Sequence, residues 1–419
     1  MEIKAEVKSI KKLENYFFLV PDYQREYVWK PDDQVEQFII DIDNEFDPNA
    51  KEQKSYFIGS IIIVENKGKY DVIDGQQRLT TIILSLCAFR DLLKPLSLGT
   101  IEKKYLQTIE ELLSDFDIST NESKLRLELQ YEESKDFLNK LIQSLTYEDE
   151  LTSSIQKMQA AYFRLKTHFE TYLLTGMQGF INYVQYFLTK IELVLIESEN
   201  LSSALKIFET INQRGAGLNA MDLVKNLLFS KANETDFQKI KDTWKSISMN
   251  LQNCHEDSSP LRFLRYFVMS RYHDGVIRED DIYKWFISKE GKEATNYETD
   301  PLAFAKELNK ISKRYSDLVI ATERVREGGN YPRVTNIGLV NKYKSRQHLI
   351  LLLALDITFG DGEIDYLAEQ IESFFFYSNV LGIQAKNNEG LFAAWARKIR
   401  QAKSHADLEE MIESNIILT

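Results

Sequence analysis

The first hundred residues carry two different hydrophobic patterns in quick succession. The run 55–64 is rich in β-branched and aromatic residues and predicts a buried strand, and Tyr70–Ile73 predicts a second strand after a glycine-containing hairpin turn. The apolar run 82–93 predicts a helix. Between strand and helix lies Asp74-Gly75-Gln76-Gln77-Arg78, in which every residue is polar or glycine. The pattern therefore predicts a strand, a polar turn and a helix in immediate succession.

Helical periodicity dominates the rest of the chain. It predicts helices at 7–18, at 32–46, throughout 94–190, at 202–211 and from about residue 235 to the end, with one more strand at 191–197. The 419 residues contain 7 Pro and 17 Gly, so helix breakers are few. We therefore predict an α+β protein with a small α/β N-terminal core and a large, mostly α-helical body. Its length favours two or three domains.

The polar turn has the composition of an anion site. Gly75 offers a backbone that tolerates positive φ, and Thr80 and Thr81 suit a helix N-terminus, where a hydroxyl can satisfy a free amide. Free N–H groups and the positive end of the helix dipole favour an anion there. Arg78 adds a planar fork of donors that matches phosphate.

Carboxylate and amide side chains complete the turn. Asp74 can hold a divalent cation or orient a water molecule, and Gln76 and Gln77 can read polar edges or position that water. The alternative interpretation is an Asx-turn with a helix cap, in which Arg78 forms a surface ion pair.

Two further stretches carry candidate chemistry. In 21–29, three aromatic residues interleave with Gln24 and Arg25, which suits either base stacking or an aromatic clamp on the sheet. Gly59, in the first predicted strand, indicates a bulge or a close backbone approach. The second stretch, 208–225, predicts a helix, a loop with two glycines and another helix. Its polar residues are Asn212, Arg214, Asp222 and Lys225.

Charge and cysteine content exclude several classes of protein. The net charge of −12 argues against a protein that coats nucleic acid by bulk electrostatics. Basic residues nevertheless cluster at 324–346 and at 397–403, as candidate contacts for DNA or an acidic partner. Cys87 and Cys254 form no disulfide framework. The chain has no Gly-x4-Gly-Lys-Ser/Thr loop, no signal peptide and no apolar run that could span a bilayer, so we expect a cytoplasmic protein without a membrane partner.

Four ordered motifs together resemble a known family. They are Val-Pro-x-Tyr-Gln-Arg-x-Tyr-x-Trp, Phe-Ile-Gly-Ser-Ile, Asp-Gly-Gln-Gln-Arg-Leu-Thr-Thr and Phe-Glu-x-Ile-Asn-x-Arg-Gly-x-x-Leu-x-x-x-Asp-Leu-x-Lys. Over roughly residues 8–230 the chain resembles the GmrSD-type family, a domain found at the N-terminus of many modification-dependent restriction and phage-defence proteins.

The resemblance implies a ParB/sulfiredoxin-like core whose Asp-Gly-Gln-Gln-Arg turn binds and hydrolyses nucleoside triphosphates with Mg²⁺. Carried over by position, Asp74, Gln77 and Arg78 would be catalytic, and Asp74 would also hold the metal. The nucleotide would be bound by further residues, namely Gln24, Arg25, Gly75, Gln76, Thr80, Thr81, Asn212, Arg214, Asp222 and Lys225. The last four would close the pocket from the helical side.

The same resemblance implies a domain plan and partners. The core would span 1–95. A helical continuation that completes the nucleotide pocket would span 96–232, and a helical recognition or docking domain would span 233–419. Partners would be a nucleotide, DNA with or without modified bases, and a separate nuclease or effector subunit, with a homo-oligomer left open.

Full-length members of the family often carry a His-Asn-His nuclease domain. The five histidines here are scattered along the chain, so we expect no DNA cleavage by this chain alone. The predicted function is a nucleotide-hydrolysing subunit of a defence or restriction system that senses DNA or controls a separate nuclease. A non-enzymatic adaptor that recruits a partner and a nucleotide-gated, ParB-like DNA clamp are the alternatives.

Overall fold

The computed structural model describes residues 3–117, 121–212, 220–254, 259–322, 331–340, 346–382 and 388–415. They divide into two compact units, Met1–Ile211 and Asn212–Thr419, and each is described by itself. A mixed sheet lies in the first unit and the remaining structure is mostly helical, which confirms the predicted α+β class. The three-domain plan stays a prediction beside this two-unit division.

The strands all belong to the first unit. They are β1 (Ile3–Ser9), β2 (Phe18–Val20), β3 (Tyr56–Asn66), β4 (Lys69–Asp74), β5 (Ser114–Asp117), β6 (Glu122–Leu125), β7 (Leu127–Leu129) and β8 (Ile191–Ser198). A 3₁₀ helix, Ile10–Asn15, follows β1. The α-helices of this unit are α1 (Gln34–Glu45), α2 (Gln76–Leu93), α3 (Thr100–Leu113), α4 (Phe137–Ile142), α5 (Ser153–Leu174), α6 (Met177–Lys190) and α7 (Leu201–Asn212).

Six strands form one sheet in the order β1-β8-β3-β4-β2-β7, and β5 pairs separately with β6. Strands β3 and β4 are antiparallel, whereas β3 with β8 and β2 with β4 are parallel. The β3–β4 hairpin turns at Lys67 and Gly68, which both have positive φ, as a tight hairpin turn requires. The predicted hairpin is thereby confirmed.

Helix α2 lies at the centre of this unit and packs against α3 and α5. Nearly all of its residues are buried, which explains why its sequence is apolar on every side. Ile61 and Ile63 of β3 and Leu193 of β8 belong to the same hydrophobic core. The sheet and α2 therefore form a rigid frame around the junction between β4 and α2.

Two local predictions were wrong. Residues 7–18 do not form one helix, because 7–9 belong to β1, which pairs with β8 far along the chain, and a 3₁₀ helix follows. The segment 94–190 is not purely helical, because it contains β5, β6 and β7, and β7 extends the main sheet by pairing with β2. For β1 and β7 the error comes from long-range strand pairing, which overrides local periodicity, whereas β5 and β6 pair with each other locally.

The second unit is helical throughout its described residues. Its helices are α8 (Ala220–Lys231), α9 (Glu234–Gln252), α10 (Pro260–Arg271), α11 (Ile282–Ile287), α12 (Lys289–Thr295), α13 (Pro301–Thr322), α14 (Pro332–Val340), α15 (His348–Ala354), α16 (Asp361–Val380), α17 (Asn388–Ile399) and α18 (His405–Asn415). Helix α13 packs against α9 and α14, and α10 packs against α15. Within the part of the chain that the structure describes, no helix is both long and apolar enough to cross a membrane.

Candidate functional site

Gly75 makes the junction between β4 and α2. It adopts a left-handed conformation, with φ +86° and ψ 9°, so the strand ends at Asp74 and the helix begins at Gln76 without a longer loop. A Cβ atom at this position would lie 2.8 Å from Cγ1 of Ile61 and 2.9 Å from the carbonyl oxygen of Ser60. The predicted positive φ is confirmed, and both conformation and space restrict the position to glycine.

The helix begins four residues before the predicted Thr80–Thr81 terminus, so the prediction that these hydroxyls cap it was wrong. The physical reason is Gly75, whose left-handed backbone allows the chain to turn directly into the helix. The hydroxyl of Thr81 instead donates to the Gln77 carbonyl (2.8 Å) and accepts from the Tyr27 hydroxyl (2.9 Å). Thr80 and Thr81 are both buried, and their role as nucleotide ligands stays a prediction.

Arg78 lies in the first turn of α2, and its guanidinium rests on the backbone of β3. Its Nη1 donates to the Ser60 carbonyl at 2.8 Å. Gly59, with φ +113°, sits at a break in the β3–β8 register, and a Cβ there would lie 2.7 Å from Nη2 of Arg78. The bulge and the close approach predicted for Gly59 are therefore both present, and together they hold the guanidinium at the end of the sheet.

Asp74 shares this corner with two arginines. Burial raises the pKa of its carboxyl, while the Gly75 N–H and the positive charges of Arg78 and Arg25 act to lower it. Burial in turn lowers the pKa of Arg78, and the charge of Asp74 opposes this shift. The corner thus combines two guanidinium groups with one carboxylate at a helix N-terminus. Guanidinium groups beside a helix N-terminus suit an anion.

The segment Gln24–Val28, named here the strap, is bound to β4 and α2 by hydrogen bonds. The side-chain Nε2 of Gln24 donates to the Ile73 carbonyl at 3.1 Å. The amide of Gln77 bridges two strap residues, since its Oε1 accepts from the Val28 N–H and its Nε2 donates to the Glu26 carbonyl, both at 2.8 Å. These bonds hold Arg25, which lies between the anchored residues, against the turn.

The aromatic residues of this region serve packing. Tyr27 is 1% exposed, its N–H donates to Ser154 of α5 at 3.2 Å, and its hydroxyl binds Thr81. Trp29 packs against Phe38 of α1, with ring centroids 6.3 Å apart. Of the two interpretations of this stretch, the clamp on the core describes Tyr27, because this ring has no exposed face on which a base could stack. For Trp29, which is partly exposed, both interpretations stay predictions.

The second motif stretch is described in part. Asp222 lies in the first turn of α8, and Lys225, on the same helix, is buried. Asn212 is the last residue of α7, while its side chain, the whole of Arg214 and the two loop glycines lie outside the described residues. The expectation that these four residues close the nucleotide pocket stays a prediction.

The described basic residues of the two clusters have acidic or polar neighbours. Arg333 pairs with Glu369 and Glu372, and Arg346 donates to Thr322. In the second cluster, Arg397 and Arg400 both pair with Asp274, and Lys403 pairs with Asp356. Residues 324, 326, 342 and 344 lie outside the described residues. Of the described basic residues, Arg333, Arg397, Arg400 and Lys403 each pair with a carboxylate, which lowers the positive potential that they can offer to DNA.

Four of the five histidines can be placed. They lie apart on the chain and mostly pair with carboxylates: His168 with Asp43, His273 with Glu290, and His405 with Glu363 and Glu409, while His348 is buried in α15. His255 lies outside the described residues.

Magnesium fits this corner only in company with phosphate. Among the residues that the structure describes, no group of three or more His, Cys, Asp or Glu side chains could hold a metal ion. Asp74 is a single carboxylate that faces two positive charges. Mg²⁺ is commonly held by one or two carboxylates together with substrate phosphates and water, so the donor set fits a metal that arrives with a triphosphate.

Backbone groups of the site had no signal in the sequence. The carbonyls of Ser60 and Ile73 orient Arg78 and Gln24, but any residue type supplies a carbonyl. The indirect signal was Gly59, next to Ser60, because a glycine inside a strand often marks a close approach.

The chain matches a known protein family. The sequence model of the family described as "GmrSD restriction endonuclease, N-terminal domain" matches residues 6–229, which is more than half of the chain. The matched range contains the turn, the strap and nearly all of α8. No curated protein matches the chain.

Proposed function

The chain belongs to the GmrSD restriction endonuclease N-terminal domain family, and on this premise we propose that its turn, Asp74–Arg78, binds and hydrolyses a nucleoside triphosphate. Membership of the family makes the chain a component of a restriction or defence system that acts on DNA. The observation that carries the proposal is the corner at the start of α2. There Arg25 and Arg78 both act on Asp74, and the helix dipole adds further positive potential.

The groups at the corner are of the kind that bind a polyanion. Two guanidinium groups act on Asp74 there, and the N–H groups of the first helical turn lie at the same end of the helix. Arg78 donates to a single carbonyl among the described residues, so most of its five N–H donors remain for phosphate oxygens. Because Gly59 and Ser60 hold the guanidinium, little side-chain entropy is lost when it binds a ligand.

Hydrolysis at this site would proceed by positioning and electrostatics. Arg78 and Arg25 would bind the terminal phosphates and stabilise the charge that develops on their oxygens. Asp74, whose pKa is raised by burial, would accept a hydrogen bond from the attacking water and orient it. When bound with the triphosphate, Mg²⁺ would neutralise negative charge on the phosphates next to Asp74.

The proposed output of the reaction is control of DNA restriction. We assign the hydrolysis to DNA sensing or to the control of a separate nuclease or effector subunit, in keeping with the family's place in restriction systems. In the second basic cluster, Arg397, Arg400 and Lys403 pair with acidic residues, and this supports the control role over that of a DNA clamp.

The test is phosphate release by the purified chain with each of the four common triphosphates and Mg²⁺, with and without DNA. The Arg78→Ala variant is compared with Arg164→Ala. Arg164 belongs to the same unit, is similarly half-buried and pairs with Glu36 at 2.6 Å on α1. We expect turnover by the native chain and by Arg164→Ala, and roughly 10²- to 10³-fold slower turnover by Arg78→Ala.

Absence of turnover by a folded native chain, with every triphosphate and with DNA, would contradict the proposal. It would favour the adaptor, whose function requires a partner and no chemistry. Native turnover by both variants would contradict the assignment of Arg78 and would indicate that the site lies away from the turn.

A further inference from the structure

The amide of Gln77 is occupied at both ends. Its Oε1 accepts from Val28 and its Nε2 donates to the carbonyl of Glu26, each at 2.8 Å, and the residue is 6% exposed. A glutamine that orients an attacking water must present its amide to the ligand. Here both ends of the amide are bonded to the backbone of the strap, so Gln77 has a different role from orienting water.

The strap has a second anchor on the other side of Arg25. Gln24 Nε2 donates to the carbonyl of Ile73, the residue directly before Asp74. Arg25 is therefore held between a bond from Gln24 to the end of β4 and a bond from Gln77 to Glu26. Consecutive residues of an extended chain lie under 4 Å apart, so these two bonds leave the backbone of Arg25 little freedom.

From these contacts we infer that Gln77 is a positioning residue, which holds the strap so that the guanidinium of Arg25 faces the phosphate site beside Asp74. The structural part of the inference, that Gln77 holds the strap, rests on the hydrogen bonds alone. Its consequence, that Arg25 is held at a phosphate site, rests on the proposed function. It replaces the role of water-orienting residue that the sequence suggested for Gln77. It also means that Arg25, which is remote from the turn in sequence, acts together with the residues of the turn.

The structural part is tested by amide hydrogen exchange of the peptide that contains the strap, measured by mass spectrometry. Gln77→Met keeps the length of the side chain and removes both hydrogen bonds. Ser85→Ala is the matched control, because Ser85 is buried in the same helix and its hydroxyl donates to the Thr81 carbonyl. We expect faster exchange of the strap in Gln77→Met and native exchange in Ser85→Ala.

The functional part is tested by a double-mutant cycle on triphosphate turnover. Arg25→Ala should weaken kcat/KM by roughly 10- to 100-fold, the loss expected for hydrogen bonds to a charged group. Gln77→Met should reproduce most of this loss with the same division between kcat and KM. The double variant should be close to Arg25→Ala alone, since both changes remove the same guanidinium from the site.

Two results would overturn the inference. Unchanged exchange of the strap in Gln77→Met would show that the amide does not hold it, and losses that multiply in the double variant would show that Gln77 acts independently of Arg25. If the native chain neither binds nor hydrolyses triphosphates, the proposed function fails and the turnover cycle falls with it. The exchange experiment then decides by itself whether Gln77 holds the strap.

Discussion

The two ends of helix α2 each carry an arginine beside an aspartate, and the two pairs differ in burial and in hydrogen-bond partners. At the C-terminal end, Arg90 is 3% exposed, binds Asp91 at 2.8 Å and donates to the carbonyls of Leu141 and Ile142. At the N-terminal end, Arg78 is half-buried, donates to one carbonyl and shares Asp74 with a second arginine.

The difference shows which arginine is structural and which can serve a ligand. Each of the three guanidinium nitrogens of Arg90 donates to an acceptor, including the last two carbonyls of α4, so this side chain holds helices together. Among the described residues, the guanidinium of Arg78 donates to one carbonyl, which leaves further N–H donors at the start of the helix, near Arg25 and Asp74. Spare donors, rather than the presence of arginine, distinguish a candidate anion site.

The largest expected effect is the loss of stability in Arg90→Ala. Removal of the guanidinium leaves the carbonyls of Leu141 and Ile142 without their donor, and Asp91 keeps only the Tyr162 hydroxyl. We expect the free energy of unfolding to fall by about 3 to 5 kcal/mol. Urea denaturation measures this value. Turnover per folded molecule should stay native, and a variant of native stability would show that Arg90 holds nothing together.

Arg78→Lys tests the other end of the helix. Lysine keeps the positive charge but lacks the planar fork, so it cannot bind the Ser60 carbonyl and two phosphate oxygens together. We expect turnover to fall by roughly 10- to 100-fold, measured as phosphate release, with the urea midpoint nearly unchanged. If Arg78→Lys loses stability and keeps its turnover, Arg78 is structural like Arg90 and the comparison fails.

Gly59→Ala sharpens the comparison by moving Arg78 without replacing it. The new Cβ would lie 2.7 Å from Nη2, so the guanidinium must shift. Gly176→Ala is the control, because Gly176 has a similar φ of +127° and open space around it. Both variants should lose about 1 to 3 kcal/mol of stability from backbone strain. A turnover loss of about tenfold is expected in Gly59→Ala alone, and equal turnover in the two variants would mean that the bulge does not orient Arg78.

For the free energy of unfolding, the smallest change is expected in Asp74→Asn. Burial raises the pKa of Asp74 above its usual value, so the ionised carboxylate is less favourable in the fold than in the unfolded chain. The neutral amide should leave stability at pH 7 equal or slightly higher. A clear loss of stability in urea denaturation would show that Asp74 is held, like Asp91, by a structural pair.

The pH dependence follows with a definite sign. Because the folded pKa is raised, folding binds a proton at Asp74 as the pH falls through that value. The native chain should therefore gain stability relative to Asp74→Asn on acidification, until the carboxyl is protonated in the unfolded chain as well. Urea midpoints of both proteins between pH 4 and pH 7 measure this difference, and a relative loss on acidification would contradict the assignment.

Local signals in the sequence were enough for the hairpin, the turn and the helix after it. The β-branched and aromatic residues of β3 and β4, the glycines at 68 and 75 and the apolar run of α2 are each short-range patterns, and their predicted structures are confirmed. The bulge that was predicted from Gly59 is also confirmed. The predicted start of α2 was too late, because Gln76, Gln77 and Arg78 have the polarity of a loop although they form the first turn of a helix.

The rest depends on contacts between residues far apart in the chain. Strand β1 is recognisable only by its pairing with β8, and β7 only by its pairing with β2. The role of Gln77 follows from carbonyl and amide groups about fifty residues earlier, which leave no mark on side-chain identity. Nor could the sequence separate Arg78 from Arg90, since the difference between them lies in which acceptors the fold brings near.

The most direct test of the central claim is equilibrium binding of a fluorescent triphosphate analogue with Mg²⁺ to the native chain and to Arg78→Ala. The account predicts saturable binding to the native chain that is weakened by roughly 10- to 100-fold in the variant. Equal affinity of the two proteins, or no binding to a folded native chain, would contradict the claim that the start of α2 is a triphosphate site.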